Sequence, residues 1–386
     1  MEKAFDQSIV NFGMSERKIT VPFSTLLLIV GAVLLLFLLW QLRSLLVVLM
    51  IAIVIASTLA PVIKIAESFR IPRWLAVIGV YLSLVSLFTG VVLLIGPTVV
   101  DQIQRLIRKL PLYLEILGVL VQSWVVRLGM TEPQVLEQLN RLFDVQALTA
   151  WAFRSSQELL IRSYGITRGV IGGILSLILA FMLSGYMLSG SNKLIQGFVS
   201  LFPAPWDERL LAQVQPMSER MGSYIQGRIV VSGILGIVIT IGLRLLGISE
   251  LALGLGVIAA VTNLIPFFGP VLGAIPALIV AVAQGGWTFL SVFLLFVIIQ
   301  NLETYVLDPL LVGSSVKVNP LYQLLAVLGG AQVLGILGAV IVPPWVAGTA
   351  VLLDNLYIKM KAAPVVPSGT GITSPVAVHN SQNNQT

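Results

Sequence analysis

The sequence predicts an all-α polytopic membrane protein: about six full transmembrane helices, two re-entrant helical hairpins broken by Gly and Pro, and amphipathic interfacial helices. The first observation is composition, with 57% hydrophobic and 10% charged residues, against ~45–50% and ~25% in a soluble domain. The second is a pair of long apolar stretches, Leu251–Gly286 and Leu321–Tyr357, each interrupted near its middle. A span needs ~20 residues, so each stretch is long for one crossing and short for two. Two half-spans meeting at a break fit better, and such breaks point to a transporter's substrate site. The third is the absence of cysteine and the presence of a single histidine, His379, near the C-terminus. Thiol catalysis, disulfides, thiolate or histidine metal clusters and buried histidine relays are thereby excluded.

Residues 1–20 form a polar N-terminal segment with Lys3, Arg17 and Lys18. Residues 21–100 hold three spans, Val21–Leu42, Leu45–Ile63 and Trp74–Val100, joined by a minimal turn at Arg43 and a basic connection carrying Lys64, Arg70 and Arg73. The first span follows a charged segment and is long enough to be kept as a signal anchor. Residues 101–168 are the one sizeable polar region. Ile103, Leu106, Leu110, Leu114 and Leu117 recur there at helical spacing, which predicts an amphipathic helix, with Pro111 as a kink. Thr131-Glu-Pro-Gln134 has the form of a helix start with a capping box. Residues 169–190 are a fourth span and 191–228 an amphipathic connection whose apolar side carries Leu210, Val214, Met217, Met221 and Tyr224. Residues 229–357 form the transport core: a fifth span to Ile248, the first broken stretch, a span Trp287–Tyr305, a polar connection and the second broken stretch. The tail, 358–386, is rich in Pro, Ser, Asn and Gln, a composition that favours disorder.

Basic residues set orientation. With both termini in the cytoplasm, most basic flanks face inward, while Arg105, Arg108 and Lys109 lie outside and run against the rule. Region 101–168 is then extracytoplasmic and 191–228 cytoplasmic. The two broken stretches enter from opposite faces, as in the inverted repeats of secondary transporters. The net charge of +6 is spread thinly without aromatic stacking platforms, so it is assigned to loops rather than to nucleic acid. The location expected is a bacterial cytoplasmic (inner) membrane. No cofactor and no metal are expected, and no enzymatic activity. The Walker lysine motif is absent, and Gly254-Leu-Gly256 lies in an apolar stretch without the strand a dinucleotide site requires.

The candidate solute or ion path is built from the breaks and the polar residues near them. In the first break, Asn263, Pro266, Gly269, Pro270 and Pro276 supply a polar side chain, missing backbone donors and a residue able to approach closely or take positive φ. A tight packing turn is the alternative for this group. Gln300, Asn301, Glu303 and Asp308 follow on the next span; an intramembrane acid usually faces a pathway, although the place of Glu303 and Asp308 near a span end also suits a solvated interfacial role. Gly335, Gly338 and Pro343 mark the second break. Arg244 is expected to snorkel or to pair with Glu250.

Together these residues carry a resemblance. Tyr224-Ile-Gln-Gly-Arg228 is followed by Leu264-Ile-Pro-Phe-Phe-Gly-Pro270 with Pro276, then Gln300-Asn-Leu-Glu-Thr-Tyr-Val-Leu-Asp-Pro309, Gly313, Asn319-Pro320, Gly329-Gly330, and Gly335-Ile-Leu-Gly338 with Pro343. In order and spacing this resembles the autoinducer-2 exporter (AI-2E) family, the PerM-like permeases, from the first span to about Tyr357; Pro344 beside Pro343 is a local variation. The resemblance implies export of a small polar solute such as autoinducer-2, or sodium–proton antiport, and supports a homo-oligomer. It carries over Glu303 and Asp308 as motif acids, without an agreed set of substrate residues. The expected partners are the lipid bilayer, a small polar solute or cation, and further copies of the chain. Alternating access through the broken helices is the favoured function, cation–proton antiport its rival, and a membrane scaffold the reading from another class.

Overall fold

The computed structural model of the protein describes residues 23–129, 163–312 and 319–358. The helix start expected at Thr131 and the tail lie outside them. The described residues are helical and contain no strand. In order, they form α1 (Phe23–Gln41), α2 (Arg43–Ser68), α3 (Arg73–Arg127), α4 (Ser163–Val199), α5 (Trp206–Leu245), α6 (Ala252–Thr262), α7 (Phe268–Gln284) and α8 (Gly286–Leu302). A π-helical segment, Glu303–Val312, continues α8. After it come α9 (Pro320–Leu334), α10 (Ile336–Leu353) and a last π turn, Asp354–Ile358. Among the described residues five helices are long and apolar enough to cross a membrane: Arg43–Ser68, Arg73–Arg127, Trp206–Leu245, Gly286–Val312 and Ile336–Leu356. The pair Leu175–Gly190 and Asn192–Val199, bent by 89°, makes six if it is one broken span. The bend falls at Gly190, whose φ and ψ of −119° and 23° leave the helical region. The protein is an all-α polytopic membrane protein.

The chain divides into two compact units, Met1–Met50 and Ile51–Thr386. The first holds α1 and the start of α2, where the Arg43 guanidinium sits 5.0 Å from the Trp40 ring centre. The second holds the core, in which α5 packs against α6, α10 and the π segment. Val231, Leu235 and Ile239 of α5 meet Leu255 of α6 and Val280 of α7 in one buried apolar cluster.

Two helices run further than the hydropathy suggests. α3 continues past Val100 to Arg127, 55 residues in all with Pro97 and Pro111 inside it, or ~80 Å at helical rise. It is fastened near its start, where Arg73 Nε donates to the Leu188 carbonyl at 2.7 Å. Two turns apart on one face it is fastened again: Gln102 Oε1 accepts from the Gly254 amide at 2.7 Å, and Lys109 Nζ meets Glu250 Oε2 at 3.2 Å. Gln102 thus satisfies a first-turn amide of α6, a group left orphaned by the helix itself. Glu250 is therefore paired with Lys109, and not with Arg244, which is exposed. The reason is the neighbouring α3, invisible to local spacing. α5 likewise runs unbroken from Trp206 to Leu245, so Arg228 lies inside a helix rather than at a loop edge.

The first apolar stretch is broken where Gly and Pro crowd, the second at a glycine. α6 and α7 form the first hairpin about residues 263–267. Gly269 is buried so tightly that a Cβ there would strike the Thr262 carbonyl. Its role is close approach; the positive φ of the turn, 66°, falls instead on Phe267. α9 and α10 form the second hairpin, with Gly335 at φ 67° as the turn. Here the backbones touch, since a Cβ on Gly330 would meet the Gly338 carbonyl and one on Gly338 the Gly330 carbonyl. Pro343 and Pro344 lie within α10, buried, beyond the break itself.

Candidate functional site

An arginine in an apolar helix must find an anion or its burial costs several kcal/mol. Arg228 finds two. Its Nη1 lies 3.0 Å from Glu303 Oε1 and 3.5 Å from Asp308 Oδ1. Asn263, the residue that ends α6, donates from Nδ2 to the same Glu303 Oε1 at 3.1 Å. Arg228, Glu303 and Asn263 are 6%, 3% and 2% exposed, while the Asp308 side chain keeps 40% of its surface. One guanidinium therefore faces two carboxylates, one buried and one partly exposed.

Secondary structure explains how both acids reach one arginine. In an α-helix residues five apart point ~140° away from each other. The π segment closes its hydrogen bonds from i to i+5, which brings Glu303 and Asp308 to one side. It also lies close along α5: a Cβ on Gly227 would come 2.5 Å from the Leu311 carbonyl. Because the helical path extends to Val312, Glu303 sits well inside Gly286–Val312. It is buried, and the solvated interfacial role does not fit it.

Three polar atoms around this cluster have no hydrogen-bond partner among the described residues: Arg228 Nε, Asn263 Oδ1 and Ser232 Oγ. Ser232 is one turn beyond Arg228 on α5. Buried polar groups are nearly always paired, so a donor and an acceptor left over on the two partners of one carboxylate, with a hydroxyl one turn further along α5, make this a place able to exchange partners. One turn before Arg228, the buried Tyr224 hydroxyl accepts from Gln323 Nε2 of α9 at 3.1 Å.

Of the residues expected to form a path, Asn263, Glu303 and Asp308 come together. Pro266 and Gly269 are buried in the turn that carries Asn263, with Pro270 in the first turn of α7 and Pro276 within that helix. Gln300 and Asn301 turn to their own helix: Gln300 Nε2 donates to Thr304 Oγ1 at 3.4 Å and Asn301 Nδ2 to the Val297 carbonyl at 2.7 Å. Gly335 forms an exposed turn, and Gly338 and Pro343 serve the packing of the second hairpin. That hairpin approaches Arg228 through Gln323 instead. Arg228, Tyr224, Ser232 and Gln323 were not singled out by the sequence as site residues. The available signal was charge balance: two acids in one apolar helix call for a basic partner in another. Among the described residues no group of three or more acidic, histidine or cysteine side chains gathers as a metal site.

Comparison with known proteins gives a consistent result. The family model described as AI-2E family transporter matches residues 27–358. Two provisionally named transport proteins of Bacillus subtilis (strain 168) are similar to the chain. YueF is 28% identical over 303 residues, covering 78% of this chain and 81% of that protein. YrrI is 27% identical over 338 residues, covering 83% and 88%. The similarly named protein sll0063 of Synechocystis sp. (strain ATCC 27184 / PCC 6803 / Kazusa) is 24% identical over 359 residues, covering 88% and 84%.

Proposed function

Since the chain belongs to the AI-2E transporter family, we propose that it is a secondary transporter moving a small polar solute through a site centred on Arg228, Asn263, Glu303 and Asp308. Autoinducer-2, the solute in the family's name, is the first candidate. The observation that carries the proposal is the burial of Arg228, Asn263 and Glu303 in one hydrogen-bonded group inside apolar helices. Ionisable groups in such segments are costly and are kept where a pathway needs them. Asn263 links the group to the first hairpin, so opening the turn at 263–267 would alter the partners of Glu303. That coupling suits alternating access, in which a broken helix rearranges around a fixed site.

One observation favours a second reading. Two carboxylates share one guanidinium, so the group has an anionic side chain in excess. Cation–proton exchange would use that excess, with Glu303 or Asp308 trading Arg228 for a cation or a proton. In both readings the protein works in a bacterial cytoplasmic (inner) membrane with its termini in the cytoplasm.

Flux in proteoliposomes tests the proposal, with autoinducer-2 and sodium as probes and sodium or proton gradients applied separately. Asn263→Ala and Gly269→Leu should depress flux itself. Glu303→Gln, which keeps size and removes charge, should abolish gradient dependence if the acid couples transport. Wild-type flux in all three variants at equal expression would remove the site from this region. Intact protein that moves neither probe under any gradient would favour a scaffold.

A further inference from the structure

The buried group has an approach along α5. Toward the Trp206 end of that helix, one face carries Gln213, Met217, Met221, Tyr224, Arg228 and Ser232 in succession. At 100° per residue, all fall within an arc of ~100°. This face is covered by the second hairpin rather than by lipid. Asn355 Nδ2 donates to Gln213 Oε1 at 2.6 Å, Met221 fills the space left by Gly348 of α10, and Gln323 of α9 donates to Tyr224. Polar pairs thus mark both ends of a seam between α5 and the hairpin, with methionines between them. Methionine adapts its shape and gives way readily. Beyond Tyr224 the next groups are Arg228 and the unpartnered Ser232 Oγ.

We propose that the seam between α5 and the α9–α10 hairpin is the route from the Trp206 side to the buried group, and that Tyr224 with Gln323 forms its constriction. This rests on the transport reading given above. Tyr224 is 2% exposed and stands one turn before Arg228 on the same face of α5. The side chain holding the constriction shut comes from α9, so parting α9 from α5 by one hydrogen bond opens the way. α10, by contrast, is seated on α5 where Met221 meets Gly348, so it is the α9 side of the seam that yields. Solute size would then be selected at Tyr224, before any contact with Arg228 or Glu303.

The chain lacks cysteine, which permits a direct test on the full-length protein in membrane vesicles. Ser232→Cys is the reporter and a membrane-impermeant, negatively charged methanethiosulfonate is the probe. Ser200→Cys, in the exposed turn before α5, marks the Trp206 side. The reporter should react slowly in the otherwise native protein. Tyr224→Phe and Gln323→Leu should each accelerate it by about five- to tenfold, the population change expected when one hydrogen bond is lost. Tyr224→Ala, which also removes the ring, should accelerate it further, and each gain should appear only from the side that labels Ser200→Cys. The two mild variants preserve volume, so a folding defect in Tyr224→Ala does not stop the test. Equal rates in all variants, fast labelling without any second substitution, or gains from the opposite side would overturn the proposal. These rates are read without flux. An accelerated reporter combined with normal flux in Glu303→Gln, Asn263→Ala and Gly269→Leu would keep the constriction and reject the site; unchanged rates with impaired flux would do the reverse.

Discussion

Arg228→Met should be the most damaging single substitution in α5. It removes the positive charge and leaves Glu303, 3% exposed, with only the Asn263 amide. The gross attraction follows from the geometry. An N–O distance of 3.0 Å sets the charge centres about 4 Å apart, or ~4 kcal/mol at an effective dielectric constant of 20. Pairing with Asp308 adds less, because the contact is longer, 3.5 Å, and that side chain is 40% exposed. Desolvation offsets much of the attraction in the native protein, but a carboxylate stranded by loss of its partner bears the cost outright, ~3–5 kcal/mol. Glu303→Gln should cost less, since glutamine still accepts from Asn263 and Arg228 retains Asp308. In the double variant the stranded charge is gone, so its cost should fall well below the sum of the singles. Unfolding free energies from detergent titration, arranged as a double-mutant cycle, measure the coupling. Arg228→Met costing under ~1 kcal/mol, or strict additivity, would show that the two side chains do not meet as described.

Three further outcomes are expected. Gly338→Ala places a methyl against the Gly330 carbonyl and should destabilise the second hairpin by ~1–3 kcal/mol, read as a lower unfolding midpoint; an unchanged midpoint would mean the backbones are not in contact. Ser123→Cys, on the exposed distal part of α3, should be labelled by an impermeant thiol reagent from outside the cell, and labelling solely from the cytoplasm would reverse the orientation. Native mass measured across gentle detergents and in membrane-derived particles should exceed one chain, because Gly-rich helices such as α4 offer small residues for close helix approach; a monomeric mass in every condition would refute this.

The breaks were legible in the sequence because their cause is local. Pro266, Gly269 and Pro270 disrupt helical hydrogen bonding wherever they occur together, and the chain does turn beside them. Which residue bears the positive φ was not legible: Phe267 takes it because Gly269 is needed where backbones meet. Arg228 was missed for a different reason. Hydropathy ends a span at a charge, yet the charge of Arg228 is answered by Glu303, 75 positions away. Periodicity carries no information about such a pairing. The same holds for Glu250 and Lys109, 141 positions apart. The π segment was equally hidden, since Glu303 and Asp308 at a spacing of five look divergent on an α-helical wheel.

The fastenings of α3 have a mechanical consequence. Pinned to α4 at Arg73 and to the start of α6 at Gln102 and Lys109, this helix is a rod on two bearings with an overhang. From Lys109 to Arg127 the overhang measures ~27 Å at helical rise. A force applied at its tip becomes a torque about the second bearing, and the reaction falls on the amide end of α6. The opposite end of α6, only eleven residues long, carries Asn263. An antibody or neighbouring chain gripping the tip of α3 would therefore have leverage on the turn that holds Glu303, without entering the transport path.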